Sequence, residues 1–145
     1  MKRTIQRSMT LVLSLLMLIA FLVAPNAKAS SEVKYNSGAY AYTQSDINSD
    51  GVLQVTLIAR GEKGITTRIE VELYVEKRVL GIFWTRVNIG TTNNIWTSSV
   101  NSWQYNNAFS TQLNTSGTYR VTSIFKMLDA NGSTEEITKV NTATY

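Results

Sequence analysis

The 145-residue chain has no cysteine and no histidine, and these two gaps remove a large part of ordinary protein chemistry. Without Cys there is no disulfide, no thiol nucleophile and no residue for a lipoprotein anchor, so the fold must be held by burial and strand pairing. Without His there is no imidazole base, and the commonest zinc ligand is missing. Serine and threonine are abundant, but no histidine can activate them. Neither a Gly-x-Ser-x-Gly elbow nor a Gly-rich phosphate loop occurs. These absences point away from an enzyme, and no cofactor or metal is expected.

The formal net charge of +4 would suggest nucleic acid or anionic lipid as a partner, but the surplus is confined to one segment. Residues 1–29 hold Lys2, Arg3, Arg7 and Lys28, four of the 14 basic residues, and none of the 10 acidic ones. That segment reads as a signal peptide. A positive start precedes an apolar run from Met9 to Val23; Pro25 breaks the helix, and Ala27-Lys28-Ala29 offers small residues for cleavage after Ala29. The run is short for a membrane span, which takes about 20 apolar residues. The protein is therefore expected to be secreted and extracellular. Residues 30–145 form one domain with 10 basic and 10 acidic residues. No nucleic acid, and no membrane after cleavage, is expected as a partner. An unknown protein or envelope polymer is, and the oligomeric state stays open.

The remainder reads as strands. Ile69, Val71, Leu73 and Val75 alternate with Glu70, Glu72, Tyr74 and Glu76 between Thr67 and Lys77, one set for a core and one for water. Leu53, Val55, Leu57 and Ala59 alternate in the same way after the turn Asn48-Ser49-Asp50-Gly51, and Ala39–Thr43 is a first strand. The chain turns near Leu80-Gly81 and returns through Phe83–Ile89 as a hairpin. Residues 90–99 are expected to be an irregular connection or edge strand. Ser102–Gln112 is a strand with a bulge or bend at Asn106-Asn107. Thr118–Leu128 and Glu135–Ala143 flank an Asn131-Gly132 turn.

About seven short strands with regular turn signals predict an all-β, antiparallel sandwich or small barrel. One local motif favours the sandwich. Leu113-Asn114-Thr115-Ser116-Gly117-Thr118-Tyr119-Arg120-Val121 resembles the tyrosine corner of immunoglobulin-like and fibronectin-type domains, with Val121 at the usual cysteine position. Through Leu73–Val87 and Gly117–Lys126, the chain also resembles small secreted proteins of Bacillus-type Gram-positive bacteria. That resemblance implies an immunoglobulin-like β-sandwich and carries over no functional residue.

Three constellations bear on chemistry. Asp46-Ile47-Asn48-Ser49-Asp50-Gly51 fits the opening of a calcium loop, but its twelfth position is Leu57 where a bidentate Glu is wanted. A plain turn is the expected reading and a weak calcium site the alternative. Glu70, Glu72 and Glu76 could pair as acid and base in glycoside hydrolysis, yet a row on an outer strand face is expected to be solvated. Such a row should face Arg120 and Lys126 on the neighbouring F strand, Arg120 toward Glu76 and Lys126 toward Glu70.

Among thirteen aromatic residues beyond residue 29, the expected hairpin register pairs Glu76 with Trp84 and Tyr74 with Arg86. It makes Trp84, Tyr74 and Arg86 a candidate ligand-binding patch. Trp96, in a polar connection, is expected to serve as core or edge cover, the alternative being a solvent-facing ring suited to sugar stacking or a protein hot spot. These readings favour a secreted non-catalytic interaction module that binds a protein or cell-envelope component. The alternatives are a carbohydrate- or cell-wall-binding domain using exposed aromatic residues and a secreted antibacterial protein.

Overall fold

A computed structural model describes residues 38–145. The signal peptide expected over residues 1–29, and its cleavage point, lie outside the described residues. Lys34–Tyr145 is one compact unit.

Strands form where apolar and polar residues alternate, and they follow as β1 (Tyr40–Ile47), β2 (Val52–Arg60), β3 (Thr66–Val79) and β4 (Phe83–Arg86). A short 3₁₀ turn at Thr92–Asn94 leads into β5 (Trp96–Val100), β6 (Gln104–Gln112), β7 (Thr118–Asp129) and β8 (Thr134–Thr144). All pairings are antiparallel, in the order β1-β2-β6 for one sheet and β4-β3-β7-β8 for the other, with β5 also pairing β3. This is the immunoglobulin-like sandwich: β3 takes the place of strand C, and β7 that of its neighbour F.

The core lies between the sheets. Leu53, Val55, Leu57 and Ala59 of β2 are buried with Ile69, Val71, Leu73 and Val75 of β3 and Tyr119, Val121, Phe125 and Met127 of β7. Full burial of each larger aliphatic side chain contributes roughly 1.5–3 kcal/mol before chain entropy is set against it. Both sheet edges are drawn together. Asn141 Nδ2 donates to the Thr43 carbonyl where β8 meets β1. Trp96 of β5 packs on Phe109 of β6, ring centroids 5.5 Å apart, as edge cover of the core requires.

The tyrosine corner forms as its motif suggests. Tyr119 is buried, and its hydroxyl donates to the Thr115 carbonyl.

Three expectations are corrected. Asn106-Asn107 makes no bulge, for β6 pairs β2 in unbroken register through Ile58↔Asn106 and Leu57↔Asn107. Asn107 shares the inward side with Tyr105 and Phe109 but stays exposed at the sheet edge, where its Nδ2 reaches Ser98 Oγ at 3.3 Å. The hairpin register is also two residues off: Glu76 opposes Arg86, and Arg78 opposes Trp84. Leu80 and Gly81, at the centre of the Val79–Ile82 turn, both take positive φ, and three residues, Leu80, Gly81 and Ile82, separate the paired Val79 and Phe83. A two-residue shift keeps every side chain on its face, and Ile89 is still buried.

Third, Lys126 opposes Glu70 in register, but its ammonium bonds Glu72 at 2.8 Å. Diagonal neighbours are within reach of so long a side chain, and Arg68, two residues back on β3, already holds Glu70 at 2.8 Å.

Asn48-Ser49-Asp50-Gly51 closes the β1–β2 hairpin. Asn48 Oδ1 accepts from the backbone of Asp50 at 3.0 Å and Val52 at 2.9 Å, so this side-chain oxygen serves the turn. Gly51 has φ 78°, and a Cβ there would fall 2.7 Å from the Tyr145 ring. Leu57, at the twelfth loop position, is buried in the core.

Candidate functional site

The outer face of the larger sheet carries the predicted patch. Alternation along β3 turns Tyr74 and Glu76 outward between buried Leu73 and Val75, and the β3–β4 register sets Arg86 beside Glu76 and Trp84 beside Arg78. The Arg86 guanidinium lies 3.6 Å from the Tyr74 ring centroid. Arg120 of β7 reaches across β3 to the Trp84 ring at 4.5 Å. Its Nε and Nη2 meanwhile hold Glu76 Oε2 at 2.9 and 2.7 Å. Trp84, Tyr74 and Arg86 therefore share one surface, with Trp84 half-buried. Each such stack contributes about 0.5–1 kcal/mol at an exposed site.

Arg120 is the member that sequence reasoning missed. Its pairing with Glu76 is readable from strand order, but stacking on Trp84 depends on a hairpin register that sequence alone does not determine. Chemically the surface offers flat aromatic edges and guanidinium donors. The acidic row beside it is fully matched, Glu70 to Arg68, Glu72 to Lys126 and Glu76 to Arg120. The Glu72 carboxylate raises the Lys126 pKa above the ordinary lysine value of 10.5, through its hydrogen bond first and its charge second. Beyond it, a groove of about 410 Å³ runs between Arg68, Glu70 and Glu72 of β3 and Thr97, Ser98 and Ser99 of β5.

Two further surfaces stand out. The outer face of β1-β2-β6 pairs Tyr40 with Arg60, Tyr42 with Ile58 and Gln44 with Thr56, then Ile58 with Asn106 and Gln54 with Ser110. Tyr40 and Tyr42 are exposed there. At the end of the β3–β4 hairpin, Val79, Leu80, Ile82 and Phe83 are also exposed. Sequence reasoning passed over this tip, although an apolar run unbroken by turn polars around Gly81 marks it.

No family model matches the chain, and no curated protein matches it. Among solved structures it is similar to the CARDB domain of a Pyrococcus furiosus protein, in complex with di-metal ions. The two are 16% identical with a TM-score of 0.40, and the match covers 74% of this chain and 83% of that chain.

Proposed function

We propose that this chain is an exported, non-catalytic interaction module, akin to the secreted Bacillus-type proteins it resembles in sequence. Its ligand is a protein or cell-envelope component bound at the outer face around Trp84, Tyr74 and Arg86. The observation that carries the reading is the stacked array Trp84–Arg120–Glu76 beside Tyr74–Arg86. Aromatic and arginine side chains held in fixed geometry are the groups that dominate binding energy at protein surfaces. Their mutual stacking lowers the ordering entropy that a partner must otherwise offset.

The test is a pull-down from the producer's surface fraction with the immobilised processed protein and its Trp84→Ala and Arg86→Ala variants. One component retained by the parent and lost from both variants, with melting curves preserved, is the expected result. Retention of nothing, or equal retention by all three, overturns the reading.

A second reading, carbohydrate binding, draws on the other sheet. Tyr40 and Tyr42 stand exposed on a face otherwise made mostly of amides and hydroxyls, groups suited to stacking on sugar rings and bonding to their hydroxyls. Migration in gels cast with cell-wall polysaccharide should then be retarded, and Tyr42→Ala should release it. Unretarded parent protein removes this reading.

A further inference from the structure

Exposed apolar side chains are normal one at a time, but the β3–β4 hairpin gathers four at one end. Leu80 is 84% exposed, Ile82 69%, Phe83 59% and Val79 39%. The turn bond from Ile82 N–H to the Val79 carbonyl, 3.2 Å, closes the hairpin beneath them. Leu80 adds a second anomaly. It sits at φ 53° in the left-handed region, where a tight hairpin turn ordinarily takes Asn, Asp or Gly. Both solvation and backbone geometry therefore disfavour the residue present, a combination that marks contact sites.

Charge supplies the third observation. The three ion pairs among the described residues engage Arg68, Arg120 and Lys126. Lys77 and Arg78, directly behind the tip, form no ion pair among those residues, and Arg86 opposes Glu76, whose carboxylate Arg120 already holds. No acidic residue occurs between Glu76 and Asp129. Register places these cations one to three steps behind the Val79–Phe83 pair, roughly 3–10 Å at the rise of a strand.

We infer that the β3–β4 hairpin is a lipid-contacting tip, burying Val79, Leu80, Ile82 and Phe83 at an anionic membrane surface while Lys77, Arg78 and Arg86 meet the phosphates. The spacing matches the roughly 5–10 Å depth of interfacial insertion, and each basic residue near such a surface strengthens binding by about fivefold. Lipid fits better than a protein pocket. The tip bears no polar side chain from Val79 to Trp84, and the charge behind it is net positive, Lys77, Arg78 and Arg86 against Glu76. The expectation of no membrane partner rested on a net charge of zero for residues 30–145, and that average conceals this segregation. The proposal goes beyond the sheet-face reading; the two share Arg86, but the tip stands on Leu80 and the sheet face on Trp84 and Tyr74, so either can fail alone.

The test is sedimentation of the processed protein with vesicles of equal phosphatidylglycerol and phosphatidylcholine, against vesicles of phosphatidylcholine alone. Unit Lys34–Tyr145 carries the core described above, and the processed form lacks the apolar segment of residues 9–23, which would bind vesicles by itself. Binding is expected to the anionic vesicles, much reduced on the neutral ones and by high salt. Leu80→Asn, a residue suited to the turn, should weaken it roughly 20-fold with a melting temperature at or above the parent's. Arg78→Gln with Arg86→Gln should weaken it by on the order of 20-fold on anionic vesicles. No sedimentation, equal binding to both vesicles, or a Leu80→Asn variant that binds like the parent overturns the proposal. So does a parent that ignores vesicles yet captures a purified surface protein through Leu80, which would make the tip a protein dock.

Discussion

The β7–β8 and β3–β4 hairpins reverse the chain within one sheet by contrasting chemistry. At the first, the Asp129 carboxylate accepts from the backbone of Asn131 at 2.8 Å and Ser133 at 2.9 Å. Gly132 takes the positive φ, 83°. Every residue there suits its conformation, and the polar groups are answered. At the second, a leucine holds the left-handed position and four apolar side chains stand in water. One turn is arranged for folding alone, whereas the other retains features that folding by itself disfavours. A conformational or solvation cost left uncompensated within the domain points to a role outside it.

The largest effect should come from spoiling the polar turn. Asp129→Ala leaves two backbone N–H groups without their acceptor, and bonds to a carboxylate are stronger than neutral ones. A loss of about 2 kcal/mol is expected, seen as a melting temperature lower by roughly 10 °C. A change under about 0.5 kcal/mol would mean that water replaces the carboxylate and that the two turns differ less than their hydrogen bonds suggest.

Next comes the root of the other hairpin. Lys77 Nζ donates to Thr115 Oγ1 at 2.7 Å and lies 5.8 Å from the Tyr119 ring, so β3 rests on the tyrosine corner just before it leaves for the tip. Tyr119→Phe should cost about 1 kcal/mol or somewhat more by denaturant unfolding. The same substitution should leave hydrogen exchange at Ile82 unchanged if the tip is independent of its root. Accelerated exchange at Ile82 would join the two and weaken the contrast.

Smaller and opposite in sign, Leu80→Asn should stabilise the domain by about 0.5–1 kcal/mol, because it relieves left-handed strain at an exposed site. Destabilisation would show that Leu80 packs within the domain after all, and that the apolar turn also serves folding.

The contrast also shows what could be read in advance. Alternation at 53–59 and 69–75 is strict, so the buried faces, the sandwich and the C–F pairing of Glu76 with Arg120 were legible. Tyr119 was legible because its partners lie within four residues. Hairpin register was not, since placing the turn centre at Leu80 or at Gly81 conserves the same faces and buries the same aliphatics. The partners of Glu70 and Lys126 escaped for a related reason: strand order predicts the opposing residue, while side-chain length allows the diagonal one. The patch residues were found as sharing one face, and Arg120 was left out of it. The turn near Leu80-Gly81 was placed, but alternation does not say whether the apolar side chains at its tip find cover, and their exposure was missed.

The smallest effect concerns the charge pairing of the larger sheet's outer face, the setting shared by both hairpins. Glu72 raises the Lys126 pKa above 10.5. A cation whose folded pKa exceeds its unfolded value contributes stability that is fully present below the unfolded value and is lost as pH rises through the folded one. The difference in melting temperature between parent and Lys126→Gln should thus be constant from neutral pH to about 9.5 and shrink only above roughly 10.5. The pair is exposed, so the difference should be small and should fall further in high salt. A difference already gone at pH 9, or unchanged at pH 12, would show that Lys126 acts through its methylene stem against the sheet rather than through its charge.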